Sequence, residues 1–84
     1  MEEMKVLGRE NGCLTVALSG EVDSGNAEAF YEGVIAAYAE SPSNVMFDCE
    51  NLDFIDSTTL GTFVKILKRV KTDGYKMSDR KSVV

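Results

Sequence analysis

The hydrophobic pattern at the start of the chain predicts a β-hairpin. Apolar and polar residues mix over residues 4–9 as they do in a strand. Asn11-Gly12 follows, and this dipeptide is the strongest short signal for a two-residue hairpin turn. Residues 13–19 then alternate between apolar and polar side chains, which predicts a second strand with one buried face. That face would carry three aliphatic side chains: Leu14, Val16 and Leu18.

The next segment changes from alternation to helical spacing. Residues 20–26 contain two glycines with Asp, Ser and Asn, a composition typical of a loop. Apolar residues then recur every three or four positions and predict a helix that ends before Pro42, because proline cannot continue a helix. The predicted inner face of this helix contains Ala27, Phe30, Tyr31, Val34, Ile35 and Tyr38.

A second strand-to-helix unit follows. Residues 45–49 form a short β-rich apolar run that predicts a buried strand, and the following helix is expected to stop near Asp73-Gly74 with glycine as its C-terminal cap. Asp56-Ser57 would stand at the junction. The predicted apolar stripe of the second helix is Leu60, Phe63, Val64, Leu67 and Val70. The predicted polar strip opposite, a candidate docking face, is Thr58, Thr62, Lys65 and Arg69.

The order of elements predicts an α/β fold. Residues 75–77 suggest the start of a last strand, whereas residues 78–82 are too polar to favour one. A helix between the second and third strands implies a crossover and therefore parallel pairing, so we expect a mixed β-sheet with helices packed against one face. We expect residues 1–84 to form one domain, since the chain is too short for two.

Composition narrows the classes of function. The chain has 84 residues, a formal net charge of −5 and no histidine. Nucleic acids and anionic membranes attract clustered Lys and Arg, so neither is an expected partner. No apolar run approaches the roughly 18 residues of a membrane span. Cys13 and Cys49 are expected to be buried thiols in a reducing cytoplasm, and we expect a cytoplasmic protein without metal or cofactor.

Catalysis is not expected of this chain. Without histidine there is no Ser-His or Cys-His pair, and Gly61 lacks the neighbouring glycines of a phosphate-binding loop. The acidic residues are expected mostly in loops, where they cap and turn: Asp23, Asp48, Glu50, Asp53 and Asp56. The hydroxyl of Ser57 has two interpretations. It is either part of a helix cap, or a group at the positive end of a helix dipole, where a phosphate is stabilised.

Two stretches together resemble the signature regions of STAS domains, specifically the small bacterial anti-sigma factor antagonists. They are Leu18-Ser19-Gly20-Glu21-Val22-Asp23 before a helix, and Leu52-Asp53-Phe54-Ile55-Asp56-Ser57-Thr58-Thr59-Leu60-Gly61. The resemblance implies a mixed sheet flanked by helices and phosphorylation of Ser57 by an anti-sigma factor that is also a serine kinase. Unmodified protein would bind that partner and release the sigma factor, which regulates transcription; phosphorylated protein would let go. The residues expected to bind the partner are Asp23, Asp56, Ser57, Thr58, Thr59 and Thr62.

Two departures from the family pattern carry expectations of their own. Relatives commonly have glycine or another small residue where Thr59 stands, so the approach of a partner is expected to differ. They also usually continue with a further strand and helix, so either the chain is truncated at its C-terminus or the missing layer comes from another chain. An uncovered apolar sheet face would favour a homodimer. The alternatives are a structural STAS subunit of a signalling or transport assembly, a small nucleotide-binding module, and a non-functional fragment.

Overall fold

The structure is a computed structural model that describes residues 2–80, and its elements follow the predicted order. The strands are β1 (Met4–Glu10), β2 (Cys13–Val22), β3 (Asn44–Ile55) and β4 (Met77–Arg80). The helices are α1 (Ala27–Glu40) and α2 (Ser57–Thr72). The α/β fold is therefore confirmed. The part of the predicted polar tail at residues 81 and 82 lies outside the described residues.

The four strands form one mixed sheet in the order β1-β2-β3-β4. β1 pairs antiparallel with β2 through the hairpin, whereas the β2–β3 and β3–β4 pairs are parallel. Parallel neighbours require a crossover, which α1 and α2 supply. Both helices pack on the same face of the sheet, as predicted, and they contact each other there.

The predicted hairpin turn is present. Asn11 and Gly12 both have positive φ angles, 53° and 75°, as a two-residue turn that matches the twist of its strands requires. The pairing of β1 with β2 shifts register between Val6 and Gly8, where Gly8 has a φ of 114°. This irregularity is a β-bulge next to the edge of the sheet.

The core lies between the sheet and the two helices. Its aromatic centre is a cluster of Phe30, Phe47 and Phe63, with ring centroids 5.0–5.8 Å apart. The predicted inner faces of β2 and α1 are confirmed. The other fully or nearly fully buried apolar side chains include Leu14, Val16, Leu18, Val34, Tyr38, Val45, Ile66 and Val70.

The C-terminus of α2 is capped by Gly74, as the sequence predicts. Gly74 has a φ of 88° and donates its N–H to the carbonyl of Lys71, while Tyr75 donates to Val70. These two bonds form the Schellman motif, which uses glycine because other residues rarely adopt positive φ. The end of α1 is closed differently, since the Arg9 guanidinium on β1 donates to the Ala37 carbonyl at 3.1 Å and to that of Ser41 at 2.7 Å.

Three strands are longer than predicted. β2 continues through Val22 and β3 through Ile55, so Glu50 and Asp53 belong to a strand and not to loops. The extensions pair with each other, with Val22 opposite Ile55, and this pairing satisfies their backbone groups. β4 extends to Arg80, whose side chain donates to Asp48 of β3 at 2.9 Å.

The predicted apolar stripe of α2 is partly wrong. The buried residues of α2 are Thr59, Thr62, Ile66 and Val70, and the partly buried Phe63 packs against the core beside them. Leu60 and Val64 are about half exposed, at 53% and 49%, and lie on a flank of the helix that no described residue covers fully. The predicted polar strip turns toward α1, because Lys65 and Arg69 lie 5.8 Å from the ring centroids of Tyr31 and Tyr38.

Candidate functional site

The N-terminus of α2 is organised by Asp56. This residue is the N-cap of the helix, with extended backbone angles (φ −100°, ψ 179°). Its Oδ1 atom accepts the backbone N–H of Thr59 at 2.9 Å, and its Oδ2 atom accepts the N–H of Ser24 at 2.9 Å. One carboxylate therefore caps α2 and fastens the β2–α1 loop to it.

The β2–α1 loop is itself folded around Asp23. The Asp23 carboxylate accepts the N–H of Gly25 at 2.9 Å, and its carbonyl accepts the N–H of Ala27 at 2.8 Å. The N–H of Asp23 in turn donates to the side chain of Asn26 at 2.8 Å. Asp23 thus fixes the start of α1, and Ser24, the next residue, connects that turn to Asp56. The two motif aspartates are therefore connected through the backbone N–H of Ser24, which follows Asp23 and donates to Asp56.

Ser57 is the first residue of α2 and is exposed. Within residues 2–80, no protein group is hydrogen-bonded to its hydroxyl, so the cap function suggested for Ser57 belongs to Asp56 instead. Thr58 is also exposed and borders a polar cleft of about 480 Å³ between the N-terminal halves of the two helices. The side chains that line this cleft include Ser24, Glu28, Glu32, Thr58, Thr62 and Lys65.

Thr59 and Thr62, two of the residues expected to bind a partner, face inward. Thr59 is 0% exposed, and its hydroxyl lies 2.8 Å from the carbonyl of Val22 and 2.9 Å from Oδ1 of Asp56. Thr62 is 8% exposed and donates its hydroxyl to the carbonyl of Thr58 at 3.2 Å. Because Thr59 points into the protein, its side chain does not obstruct an approach to Ser57.

The electrostatics of the junction keep Asp56 charged. The N–H of Thr59, followed by the Thr59 hydroxyl and the N–H of Ser24, lowers the pKa of Asp56 against the opposing effect of partial burial. Asp56 is therefore ionised at neutral pH and complements the positive end of the α2 dipole. A phosphate on Ser57 would lie at the same helix end, where unpaired N–H groups favour an anion.

A second surface feature lies on the other side of α2. An open groove of about 400 Å³ runs between β3, the start of α2 and β4. Its apolar lining includes Phe47, Leu52, Phe54, Leu60, Phe63 and Met77, and Asp53 and Asp79 stand beside them. Phe54 is 52% exposed. The strand predicted from the sequence stops at residue 49, whereas β3 continues through Ile55, so the sequence did not indicate this groove.

Comparison with known families now decides the class of the chain. A family model described as STAS domain matches residues 5–78. The chain belongs to the STAS family. The resemblance of its two motifs is thereby confirmed, and in this STAS domain the motifs are the residues that meet at the start of α2. A comparison with curated protein sequences finds no match.

Solved structures share the STAS fold of this chain. The anti-sigma factor antagonist from Mycobacterium paratuberculosis is 25% identical, with a TM-score of 0.74 over 92% of this chain and 68% of that chain. The Bacillus anti-sigma factor antagonist SpoIIAA, in its unphosphorylated form, is 16% identical, with a TM-score of 0.76 over 90% of this chain and 70% of that chain. A structure of Mglu is 20% identical, with a TM-score of 0.73 over 88% of this chain and 18% of that chain. The chain thus spans about two thirds of the antagonists and between 18% and 26% of the Mglu chains.

Two further observations concern other classes of site. Within residues 2–80, no three His, Cys, Asp or Glu side chains are grouped so that they could hold a metal ion. Neither helix in the described part of the chain is long and apolar enough to cross a membrane.

Proposed function

We propose that this STAS domain is an anti-sigma factor antagonist that acts by partner switching. In this proposal a serine kinase that is also the anti-sigma factor binds the unmodified domain, phosphorylates Ser57 and then dissociates. The domain is a substrate and not itself an enzyme. A kinase partner uses ATP, so the proposal places the domain in the cytoplasm.

One observation carries the proposal. Ser57 is the exposed first residue of α2, and the Asp56 carboxylate fixes the first turn of that helix and the β2–α1 loop by accepting the N–H groups of Thr59 and Ser24. The acceptor hydroxyl is therefore presented on a preorganised surface, which lowers the entropic cost of positioning it in a kinase active site. The fold shared with antagonist structures supports the same role.

The partner surface is proposed to surround Ser57. It would include Ser57, Thr58 and the edge of the Asp23 turn, with the polar cleft beside Thr58 as a further contact region. Asp56 contributes by holding these elements together. Thr59 and Thr62 contribute by packing beneath them, since their hydroxyl groups are bonded inside the protein.

Phosphorylation has a physical reason to release the partner. A phosphate adds about −1.5 to −2 charges at neutral pH, and the helix N-terminus tolerates it, so the fold persists. A kinase must bring the phosphates of its nucleotide close to the acceptor hydroxyl. A phosphate already present on Ser57 would meet those anions, and a loss of about 2.7 kcal/mol lowers affinity a hundredfold.

The test uses three immobilised forms: the unmodified chain, Ser57→Ala and Ser57→Asp. Extract of the source cells is passed over each, and retained proteins are identified and assayed with ATP. We expect one protein to be retained by the first two forms, to be lost from Ser57→Asp, and to phosphorylate the unmodified chain. Equal retention by all three forms would refute the switch and would favour a structural STAS subunit.

The position of the phosphate is checked by mass spectrometry. There is no Lys or Arg between Arg9 and Lys65, so trypsin leaves the site in a very long peptide. A protease that cleaves before aspartate releases residues 56–72 instead. Thr58→Ala is the matched control, because Thr58 is the neighbouring exposed hydroxyl. Phosphate should persist in Thr58→Ala and disappear in Ser57→Ala.

A further inference from the structure

The side of α2 that faces away from α1 carries an apolar stripe. We name it the outer flank and define it as Leu60, Val64 and Leu67. The spacing of four and three residues places these side chains in one row along the helix. Leu60 and Val64 are exposed, Leu67 is half-buried, and the contacts with α1 are made by Lys65 and Arg69 on another side.

The outer flank is continuous with the groove beside β4. Leu60 belongs to both, and the groove adds the rings of Phe54 and Phe63 together with Met77. Single exposed apolar residues are ordinary on protein surfaces, whereas a contiguous patch of this kind marks an interaction surface. Phe54, Leu60 and Val64 are each about half exposed, at 49–53%, so the patch is open in the isolated chain.

Charge on this surface is separated along the helix. Asp53 lies in β3 just before the N-terminal end of the outer flank, and Asp79 borders the same groove from β4, opposite Phe47. Lys68 and Lys71 are exposed near its C-terminal end. The sequence shows the same separation, because ten acidic residues and no Lys or Arg occupy residues 10–64, whereas the cations of α2 begin at Lys65. The surface is therefore acidic at one end and basic at the other.

We propose that the outer flank binds the outer flank of a second copy, with the two α2 helices antiparallel. A two-fold axis near Val64 would place the acidic end of each copy opposite the basic end of its partner, which makes the surface complementary to itself. Parallel pairing would bring like charges together. The two ends are about 16 Å apart along α2, from Leu60 to Lys71, at 1.5 Å per residue.

The two kinds of contact have different roles in this dimer. Burial of Leu60, Val64, Leu67 and Phe54 supplies the affinity, because removal of apolar surface from water is the main driving force of association. Exposed ion pairs are individually weak, so the charged ends mainly select the antiparallel orientation. The proposal does not depend on phosphorylation of Ser57.

A charge-swap experiment tests the charge pairing, and its comparison with the unmodified chain tests the orientation, because the unmodified chain has opposite charges at both contacts only in the antiparallel dimer. One variant carries Asp53→Lys and Asp79→Lys, and the other carries Lys68→Glu and Lys71→Glu. Each variant alone would have like charges at both contacts, whereas a mixture would have opposite charges at both. In sedimentation at tens of micromolar and low salt, we expect the unmodified chain to dimerise, each variant to be at least tenfold weaker, and the equimolar mixture to recover. Circular dichroism of each variant verifies that it is folded.

A neutral substitution tests the apolar contribution. Leu60→Gln should weaken the dimer, whereas Leu7→Gln should not, and the two leucines are matched because they are 53% and 52% exposed. The proposal is overturned if the unmodified chain is a monomer under these conditions, if the mixture associates no better than either variant, or if Leu7→Gln is as disruptive as Leu60→Gln. None of these variants alters Ser57, so this result and that of the phosphorylation test are independent.

Discussion

Two buried threonines on α2 allow the packing of the Ser57 site to be tested with one substitution. Valine has nearly the same shape as threonine but lacks the hydroxyl group. The Thr59 hydroxyl joins α2 to β2 by its contact with the Val22 carbonyl and also lies beside the Asp56 carboxylate. The Thr62 hydroxyl bonds only to the Thr58 carbonyl within the helix, where the helical backbone already supplies a donor.

The expected magnitudes differ for the two positions. Thr59→Val removes the hydroxyl donor beside the carbonyl of the fully buried Val22, and an acceptor left unsatisfied in the interior costs about 1–3 kcal/mol. We expect a loss of about 2 kcal/mol in the free energy of unfolding, which for a domain of this size corresponds to a fall of roughly 8–16 °C in Tm. Thr62→Val should change the stability by less than about 0.5 kcal/mol, since it leaves no buried group without a partner.

Urea unfolding followed by far-ultraviolet circular dichroism measures both variants. The chain has no tryptophan, so fluorescence is a poor probe. The midpoint should fall in Thr59→Val with an unchanged dependence on urea concentration, which separates a change in stability from a change in compactness. Equal stability of the two variants, or a Thr59→Val variant as stable as the unmodified chain, would refute the role given to this hydroxyl.

Three further predictions follow from single contacts. Gly61→Ala should raise the free energy of unfolding by up to about 1 kcal/mol, measured by thermal unfolding, because alanine favours a helix and its Cβ meets nothing within 4 Å. Burial, then the hydrogen bond to Asp73, raises the pKa of Tyr38 to about 12, so Asp73→Asn should lower that pKa in an ultraviolet titration without restoring the usual value of about 10. Because the pKa of Asp56 is lower in the folded state than the value of about 3.9 in the unfolded chain, its carboxylate stabilises the fold at pH values above about 3.9. This contribution is lost as the pH falls through the folded-state pKa. In urea titrations at several pH values, Asp56→Asn should therefore show a weaker loss of stability in acid than the unmodified chain.

Each of these predictions has a contradicting outcome. A destabilised Gly61→Ala variant would mean that the space beside Gly61 is filled in solution. An unchanged Tyr38 titration in Asp73→Asn would remove the 2.7 Å hydrogen bond from the account of that pKa. If the free energy of unfolding depended on pH as steeply in Asp56→Asn as in the unmodified chain, the Asp56 carboxyl would not be among the groups whose pKa differs between the folded and unfolded states.

The order of elements, the hairpin and both helix ends were predictable because each depends on local chemistry. Asn11-Gly12 satisfies a turn that needs two positive φ angles, and Gly74 satisfies a helix end that needs one. The core faces of β2 and α1 were predictable for a similar reason, because apolar residues in those elements occupy a single face.

The buried face of α2 was not predictable from the same pattern. Apolar residues cover more than one side of this helix, so periodicity indicates a helix without selecting its orientation. The contacts of Asp56 with Ser24 and of Thr59 with Val22 help to set the orientation, and they join residues more than thirty positions apart. The extended ends of β2 and β3 were likewise not predicted, because these short segments mix polar and apolar residues and become strands through their pairing with each other.

The parallel pairing of β2 with β3 has a consequence for the rate of folding. These are the two longest strands, and the segment that joins them contains the whole of α1. Contacts between these strands form only after the segment that joins them has closed into a loop. The chain therefore loses conformational entropy before the stabilising contacts of the sheet are made, and this slows folding. Truncation of the buried Val34 on α1 should therefore slow refolding in stopped-flow measurements, whereas truncation in β4 should mainly accelerate unfolding. The helix between the strands would then be part of the folding nucleus as well as of the core.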